Sequence, residues 1–162
     1  MSCSCFDDLS LANFHWKMNM ERDEVKNWFD KWTNFEKIEG VVPIIAPSLL
    51  HIEEAAELSD AELASQDVSM DDEGAHTGDT GAFQIKEYCN YAIVGHSERG
   101  ETYDVVMEKA KKSKENDITP IICFSDKDKI KDYAIEGAVL AWEDPENISI
   151  DGEYRPKDTN EI

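Results

Sequence analysis

The sequence predicts an α/β fold in which parallel strands are joined by helical crossovers, and three observations carry that reading. Short apolar runs alternate with longer amphipathic segments, the pattern of repeated βα units. Three runs, Trp16-Lys17-Met18-Asn19, Ile93-Val94-Gly95-His96-Ser97-Glu98-Arg99 and Ala138-Val139-Leu140-Ala141-Trp142-Glu143, empty into a cation, an imidazole and a carboxylate. The C-terminal mouth of a parallel sheet is where such folds keep their chemistry. With 162 residues, 41% of them hydrophobic, the chain is long enough to bury a core as a single domain over 1–162.

The elements follow in order. The apolar runs predict strands at Leu11–Trp16, Val41–Ala46, Leu63–Val68, Tyr91–Gly95, Pro120–Phe124 and Ala138–Trp142. Between the first two, Glu21–Ile38 places Val25, Trp28, Phe29, Trp32 and Phe35 at helical spacing, a stripe suited to packing against a sheet. Further helices are expected at Ser48–Leu58, Ala82–Tyr88, Tyr103–Asn116 and, short, Asp126–Ala134. The segment Asp71–Asp79 is rich in Gly and Asp, so it reads as a long protruding loop. Beyond Glu143 no further strand–helix pattern is found before Ile162, which makes about six βα units. The chain shows no internal repeat beyond that rhythm and no low-complexity tract.

Charge and cysteine usage bound the function. Thirty-six acidic residues against 16 basic ones give a net charge of −20, which repels nucleic acid and anionic membranes over most of the surface. Nucleic-acid binding is not expected, and any anion site must rest on local donors such as Lys17 and backbone N–H groups. No stretch approaches the roughly 20 apolar residues of a membrane span, and no membrane partner is expected. Cys3, Cys5, Cys89 and Cys123 form no CxxC pair and follow no apolar leader, so a reducing cytoplasm is the expected compartment. Cys3 and Cys5 lack the further ligands that a soft metal needs. Cys123 reads as a small buried strand residue.

At these residues the chain resembles the triosephosphate isomerase family. His15-Trp16-Lys17-Met18-Asn19 resembles the first-strand motif, Ile45-Ala46-Pro47 the end of strand two, and Ala64-Ser65-Gln66-Asp67-Val68 that of strand three. Gly95-His96-Ser97-Glu98-Arg99 is the most specific match. Ile121-Ile122-Cys123 and Ala141-Trp142-Glu143 follow in the right order, and Glu143-Asp144-Pro145-Glu146 is similar to the lid start of the shorter archaeal-type enzymes.

The resemblance implies a (β/α)₈ TIM barrel, here incomplete and lacking strands seven and eight. It also implies interconversion of dihydroxyacetone phosphate and glyceraldehyde 3-phosphate, in glycolysis and gluconeogenesis, without metal or organic cofactor. Carried over residue by residue, Glu143 would be the base, neutral His96 the electrophile that polarises the substrate carbonyl, and Lys17 the cation facing the enediolate and the phosphate. Glu98 would hold the Lys17 ammonium, with Ser97 and Arg99 in support. Gly74-Ala75-His76-Thr77-Gly78-Asp79 stands where family dimers insert a loop into a partner, which makes His76 and Thr77 interface candidates and a homo-oligomer the expected state. His51 matches no catalytic position and is expected on a helix surface.

Three departures limit what the resemblance carries. His15 occupies the position of the family's usual active-site Asn, and an imidazole there is bulkier and can gain charge. The lid hinge reads Ser149-Ile150-Asp151-Gly152, where Asp151 brings negative charge towards the phosphate and Gly152 is the candidate phosphate-binding residue. The loops after strands seven and eight, which donate most of the family's phosphate-binding N–H groups, have no counterpart in the sequence. An open six-stranded sheet leaves two edges to be covered, and turnover by this chain alone is expected to be weak or absent. Two alternatives remain open: a non-catalytic oligomeric scaffold or binding module, and the N-terminal part of a split gene product.

Overall fold

The structure, a computed structural model, describes residues 10–146. Six strands alternate with helices along them: β1 (Ser10–His15), α1 (Arg22–Trp32), β2 (Val41–Ala46), α2 (Ile52–Leu58), β3 (Glu62–Ser65), α3 (Ala82–Ile85), β4 (Tyr91–Val94), α4 (Tyr103–Glu115), β5 (Thr119–Phe124), α5 (Ile130–Tyr133) and β6 (Val139–Trp142). Short 3₁₀ turns at Leu49–His51, Ser97–Arg99 and Lys127–Lys129 precede or link the helices. The strands form one parallel sheet in the order β1-β2-β3-β4-β5-β6, each pairing with its sequential neighbour across a short helical crossover. Among the described residues, no pairing closes β6 onto β1. The architecture is therefore an incomplete TIM barrel of about six βα units.

Strand periodicity divides the core in two. Ile44, Ala46, Ala64, Ile93, Ile121 and Cys123 form one cluster on the inner face. Their neighbours in sequence, including Ile45, Leu63, Ala92, Val94 and Ile122, point to the other face and pack under the helices with Val25, Phe29, Ile52, Ala55, Val106 and Ala110. Against β1, α1 contributes an aromatic cluster. Trp28 lies edge-on to Phe14 and Trp16, with ring centroids 6.2 and 5.1 Å apart, and stacks on Trp32 at 5.2 Å.

The sheet is curled, and the contacts across its mouth require it. Flat strands lie about 4.8 Å apart, so the ends of β1 and β4, three spacings distant, would be separated by about 14 Å. Instead the rings of His15, at the end of β1, and His96, two residues past β4, have centroids 5.0 Å apart.

Several elements end sooner than their sequence patterns predict. α1 stops at Trp32 rather than Ile38, where Thr33 Oγ1 and Asn34 Nδ2 both donate to Asp30 O at 2.9 and 3.2 Å. These side chains compete for the last helical carbonyls. Phe35 consequently sits outside the helix, half exposed, with its ring stacked on Trp32 at 5.2 Å. β3 ends at Ser65 rather than Val68, because Gln66 and Asp67 turn into polar contacts described below, although Val68 remains buried. The expected helix from Ser48 is divided into a 3₁₀ turn and α2. His51 is not on an exposed helix surface: its side chain is mostly covered in that 3₁₀ turn, with Nδ1 3.8 Å from Glu54 Oε2.

Candidate active site at the strand ends

Each candidate side chain is aimed by a local device. After β1, Trp16 is buried and its N–H donates to Ala46 O at 3.1 Å. Lys17 then adopts φ 53°, a left-handed conformation that a side chain bearing a Cβ adopts only at a cost of about 1 kcal/mol or more. The surroundings hold it there. Gln66 Nε2 donates to Lys17 O and Ala46 O, both at 2.9 Å, and Asn19 Nδ2 donates to Trp16 O at 2.8 Å. The resulting backbone turn directs the Lys17 ammonium to Glu98 Oε1 at 2.6 Å. That hydrogen bond is the main cause holding the Glu98 carboxyl below its usual range.

After β4, Gly95 has φ 75°, and a Cβ there would lie 2.8 and 2.9 Å from the two Val106 methyls and 3.0 Å from Cys123 O. Only glycine lets the chain turn while α4 packs this closely. The turn makes His96 the cap of the Ser97–Arg99 segment: its Nδ1 accepts the Glu98 N–H at 3.2 Å. With Nδ1 an acceptor, the proton of the neutral ring is assigned to Nε2. After β6, the Glu143 N–H donates to Phe124 O at 2.8 Å, so the parallel pairing persists one residue beyond the strand and fixes the Glu143 backbone.

The three strand ends converge. Glu143 Oε2 accepts the Ser97 N–H at 2.8 Å, Oε1 accepts from Ser97 Oγ at 2.8 Å, and Oε1 lies 3.4 Å from His96 Nε2. Carboxylate, imidazole, hydroxyl and ammonium thus gather at one mouth, with Lys17 and Glu98 half exposed and His96 and Glu143 largely covered. His15 stands edge-on to His96. Burial, aided by the neighbouring His96 and Lys17, lowers its pKa to about 4, so His15 is a neutral ring at neutral pH. The thiol of Cys123 is pushed up to about 12 by burial and by Glu143, which leaves it a packing group rather than a nucleophile.

Arg99 and Glu98 do not pair with each other, as their adjacency allowed. Glu98 turns to Lys17, while Arg99 Nη2 reaches Asp67 Oδ2 at 2.7 Å and its Nε lies 3.9 Å from Glu101. Lys109, whose side chain is only 8% exposed, bridges Asp67 at 2.6 Å and Glu101 at 2.5 Å. This network ties the loops after β3 and β4 to α4. A buried pair of this kind adds little over apolar packing, but removing one member leaves an unpaired charge and is costly. Gln66 and Lys109 were not singled out from sequence. Gln66 carried a signal, since it lies inside the strand-three motif, whereas Lys109 looks like one of several surface lysines on an amphipathic helix.

Beside the site, a cavity of about 440 Å³ runs between Lys17, Gln66, Asp67, Arg99 and the segment 68–71. Exposed apolar side chains lie along it: Met18 is 97% exposed, and Leu49 and Met70 are also open to solvent. The loop between β3 and α3 carries His76 and Thr77, both exposed, and its Asp71, Gly78 and Asp79 help to line that cavity. The 440 Å³ cavity itself is lined by neither His96 nor Glu143. Gly152, with the rest of the Ser149–Gly152 hinge, lies outside the described residues, as do Cys3 and Cys5.

Comparison with known proteins agrees with this arrangement. A family model described as triosephosphate isomerase matches residues 11–143. A triosephosphate isomerase of Dehalococcoides mccartyi is 36% identical over 121 residues, covering 70% of this chain and 48% of that protein. One from Thermus thermophilus is 37% identical over 125 residues, covering 72% and 50%. One from Shewanella piezotolerans is 28% identical over 144 residues, covering 80% and 55%. The chain spans about half the length of the curated relatives it matches. With the match extending from β1 to the glutamate after β6, the chain belongs to the triosephosphate isomerase family.

Proposed function

We propose that this chain carries the acid/base part of a triosephosphate isomerase site and acts on dihydroxyacetone phosphate and glyceraldehyde 3-phosphate through an enediolate. The observation that carries the reading is the meeting of Glu143 Oε1 with His96 Nε2 at 3.4 Å beside the Lys17–Glu98 pair. Glu143, released from Ser97, takes the proton from one substrate carbon and returns it to the adjacent one. His96, donating from Nε2–H, polarises the carbonyl, so that charge moves onto oxygen as the C–H bond breaks, and the hydroxyl proton of the enediolate passes to that oxygen as the neighbouring one becomes the new carbonyl. Lys17 faces the developing oxyanion and the phosphate, held by Glu98. Both Glu143 oxygens are engaged by Ser97, and substrate must compete with those two donors before the base is free. The reaction would belong to glycolysis and gluconeogenesis in the cytoplasm.

Phosphate binding falls chiefly to Lys17. Lys17 is a single cation, and the hinge around Gly152 that would add a backbone N–H lies outside the described residues. Loosely oriented reactants forfeit part of the roughly 7–11 kcal/mol that positioning can contribute, so turnover by this chain alone is slow.

The protein is further proposed to work as a homo-oligomer, the exposed loop with His76 and Thr77 entering the cavity of about 440 Å³ on a second copy. What supports this is the apolar lip formed by Met18, Leu49 and Met70, which the described residues leave exposed.

The deciding experiment is a coupled isomerisation assay on the purified chain, with Glu143→Gln prepared in parallel. A catalytic base contributes about 10²–10⁴-fold. Activity in the wild type that falls by about that factor in the variant supports the reading. Equal traces in both samples, or none in either, would refute catalysis by this chain and leave the non-catalytic oligomeric scaffold.

A further inference from the structure

The loop between β3 and α3 holds a second cluster of ligating groups, of which Asp71 and Asp79 share the lining of the 440 Å³ cavity with Lys17. Its base is closed by the Ser69 N–H donating to Thr80 O at 2.8 Å, and two turns within it, His76 N–H to Gly74 O at 3.0 Å and Asp79 N–H to His76 O at 3.1 Å, fold its tip. They bring one oxygen each of Asp71 and Asp79 and one nitrogen of His76 within 4.8 Å of one another. His76 Nδ1 already lies 3.5 Å from Asp71 Oδ2. Gly74 leaves the ring room, since a Cβ there would sit 3.3 Å from His76 Nε2. A cavity of about 230 Å³ opens beside these groups, with Glu73 and Gln84 on its wall.

Several of the chain's carboxylates are answered by a lysine or an arginine. Asp67 and Glu101 are answered by Lys109 and Arg99, Asp72 by Lys112, Glu98 by Lys17, and Glu54 by Arg22 and Lys26. Asp71 and Asp79 form no ion pair with a lysine or arginine among the described residues. Asp71 meets only the His76 imidazole, and Asp79 accepts from Ser69 Oγ at 3.0 Å. Two carboxylates and an imidazole are therefore held together, next to Asp72 and Glu73 in a chain of net charge −20, without a lysine or arginine of their own among the described residues to offset their repulsion.

We propose that Asp71, His76 and Asp79 bind a divalent cation of borderline softness, Zn²⁺ foremost. Zn–N and Zn–O bonds of about 2.0–2.2 Å set tetrahedral ligand separations of about 3.4 Å, so the His76–Asp71 spacing fits as it stands and Asp79 closes by a small side-chain movement. An imidazole nitrogen with two carboxylate oxygens favours Zn²⁺ over Ca²⁺ or Mg²⁺, which take oxygen ligands and more of them. Three protein ligands leave one position for water or for a group on another molecule. The ion would also cross-link the loop from Asp71 to Asp79.

The test is isothermal titration calorimetry with Zn²⁺ on the full chain, free of any histidine tag and carrying Cys3→Ser and Cys5→Ser so that terminal thiols cannot compete. One Zn²⁺ per chain is expected, with binding weakened at least about tenfold in His76→Ala and in Asp79→Asn, and with Ca²⁺ and Mg²⁺ binding far more weakly. All three side chains lie on an exposed loop, so unchanged circular dichroism will show that the variants are folded. Absence of binding at millimolar Zn²⁺ would overturn the proposal, as would stoichiometric binding undiminished in both variants.

Discussion

Replacing Gly95 by alanine tests the argument that this one residue sets the position of the central imidazole. Two costs add. The φ of 75° is left-handed, which a residue with a Cβ adopts at about 1–2 kcal/mol. The new methyl would also lie 2.8 and 2.9 Å from the Val106 methyls and 3.0 Å from Cys123 O, an overpacking that typically costs about 1–3 kcal/mol. The expected loss is about 3 kcal/mol, which at a urea slope of about 2 kcal/mol per molar lowers the unfolding midpoint by about 1.5 M. The assay is urea denaturation followed by tryptophan fluorescence. Val106 is buried, and Val106→Ala by itself should cost about 1–2 kcal/mol through the lost methyls. In the double variant the space on the Val106 side of the new methyl is open, so the combined loss should fall short of the sum by about 1 kcal/mol or more, with the left-handed strain and the close Cys123 O remaining. Additive losses, or a Gly95→Ala variant within about 0.5 kcal/mol of wild type, would refute the close-packing explanation of the turn.

Two further outcomes follow from the site and its surroundings. His15 should titrate near 4 by NMR rather than near its unfolded value of 6.5; because the unfolded chain then binds a proton that the native one does not, stability should rise with pH from about 4 to 6.5. The full shift corresponds to about 3 kcal/mol, reduced to about 1–2 by partial exposure to solvent, and His15→Asn should remove that slope; an unchanged slope would show that His15 is not the group responsible. Light scattering at micromolar concentration should give a multiple of 18.4 kDa, and Met18→Lys with Met70→Lys should shift it towards the monomer, whereas a monomeric mass for the wild type would sink the oligomer.

The order of the six strands and five helices was legible because each apolar run is short and each helix stripe has its own period. The ends were not, since they depend on side chains competing for backbone groups. Thr33 and Asn34 capture Asp30 O and stop α1, and Gln66 draws the chain out of β3 towards two carbonyls of other segments. The Lys17–Glu98 pair was legible through the family motifs, because both residues stand in them. What the motifs could not supply was the engagement of both Glu143 oxygens by Ser97, which needs the curl of the sheet to bring residues 46 positions apart into contact. Lys109 escaped notice for a related reason: its two acidic partners are contributed by loops after different strands.

Among the described residues the two outermost strands do not pair, yet both are fastened to the turn that follows the central β4. Lys17, from the β1 rim, reaches Glu98, and Glu143, from the β6 rim, reaches Ser97. These contacts act as spokes from one hub, drawing the two rims of an unclosed arc towards a shared centre. Any flattening of the arc must break a spoke before it can separate the strands. The candidate site groups thus double as struts, so a variant that loosens the scaffold at either rim should announce itself first as a displaced Glu143 carboxylate or Lys17 ammonium, ahead of any loss of secondary structure.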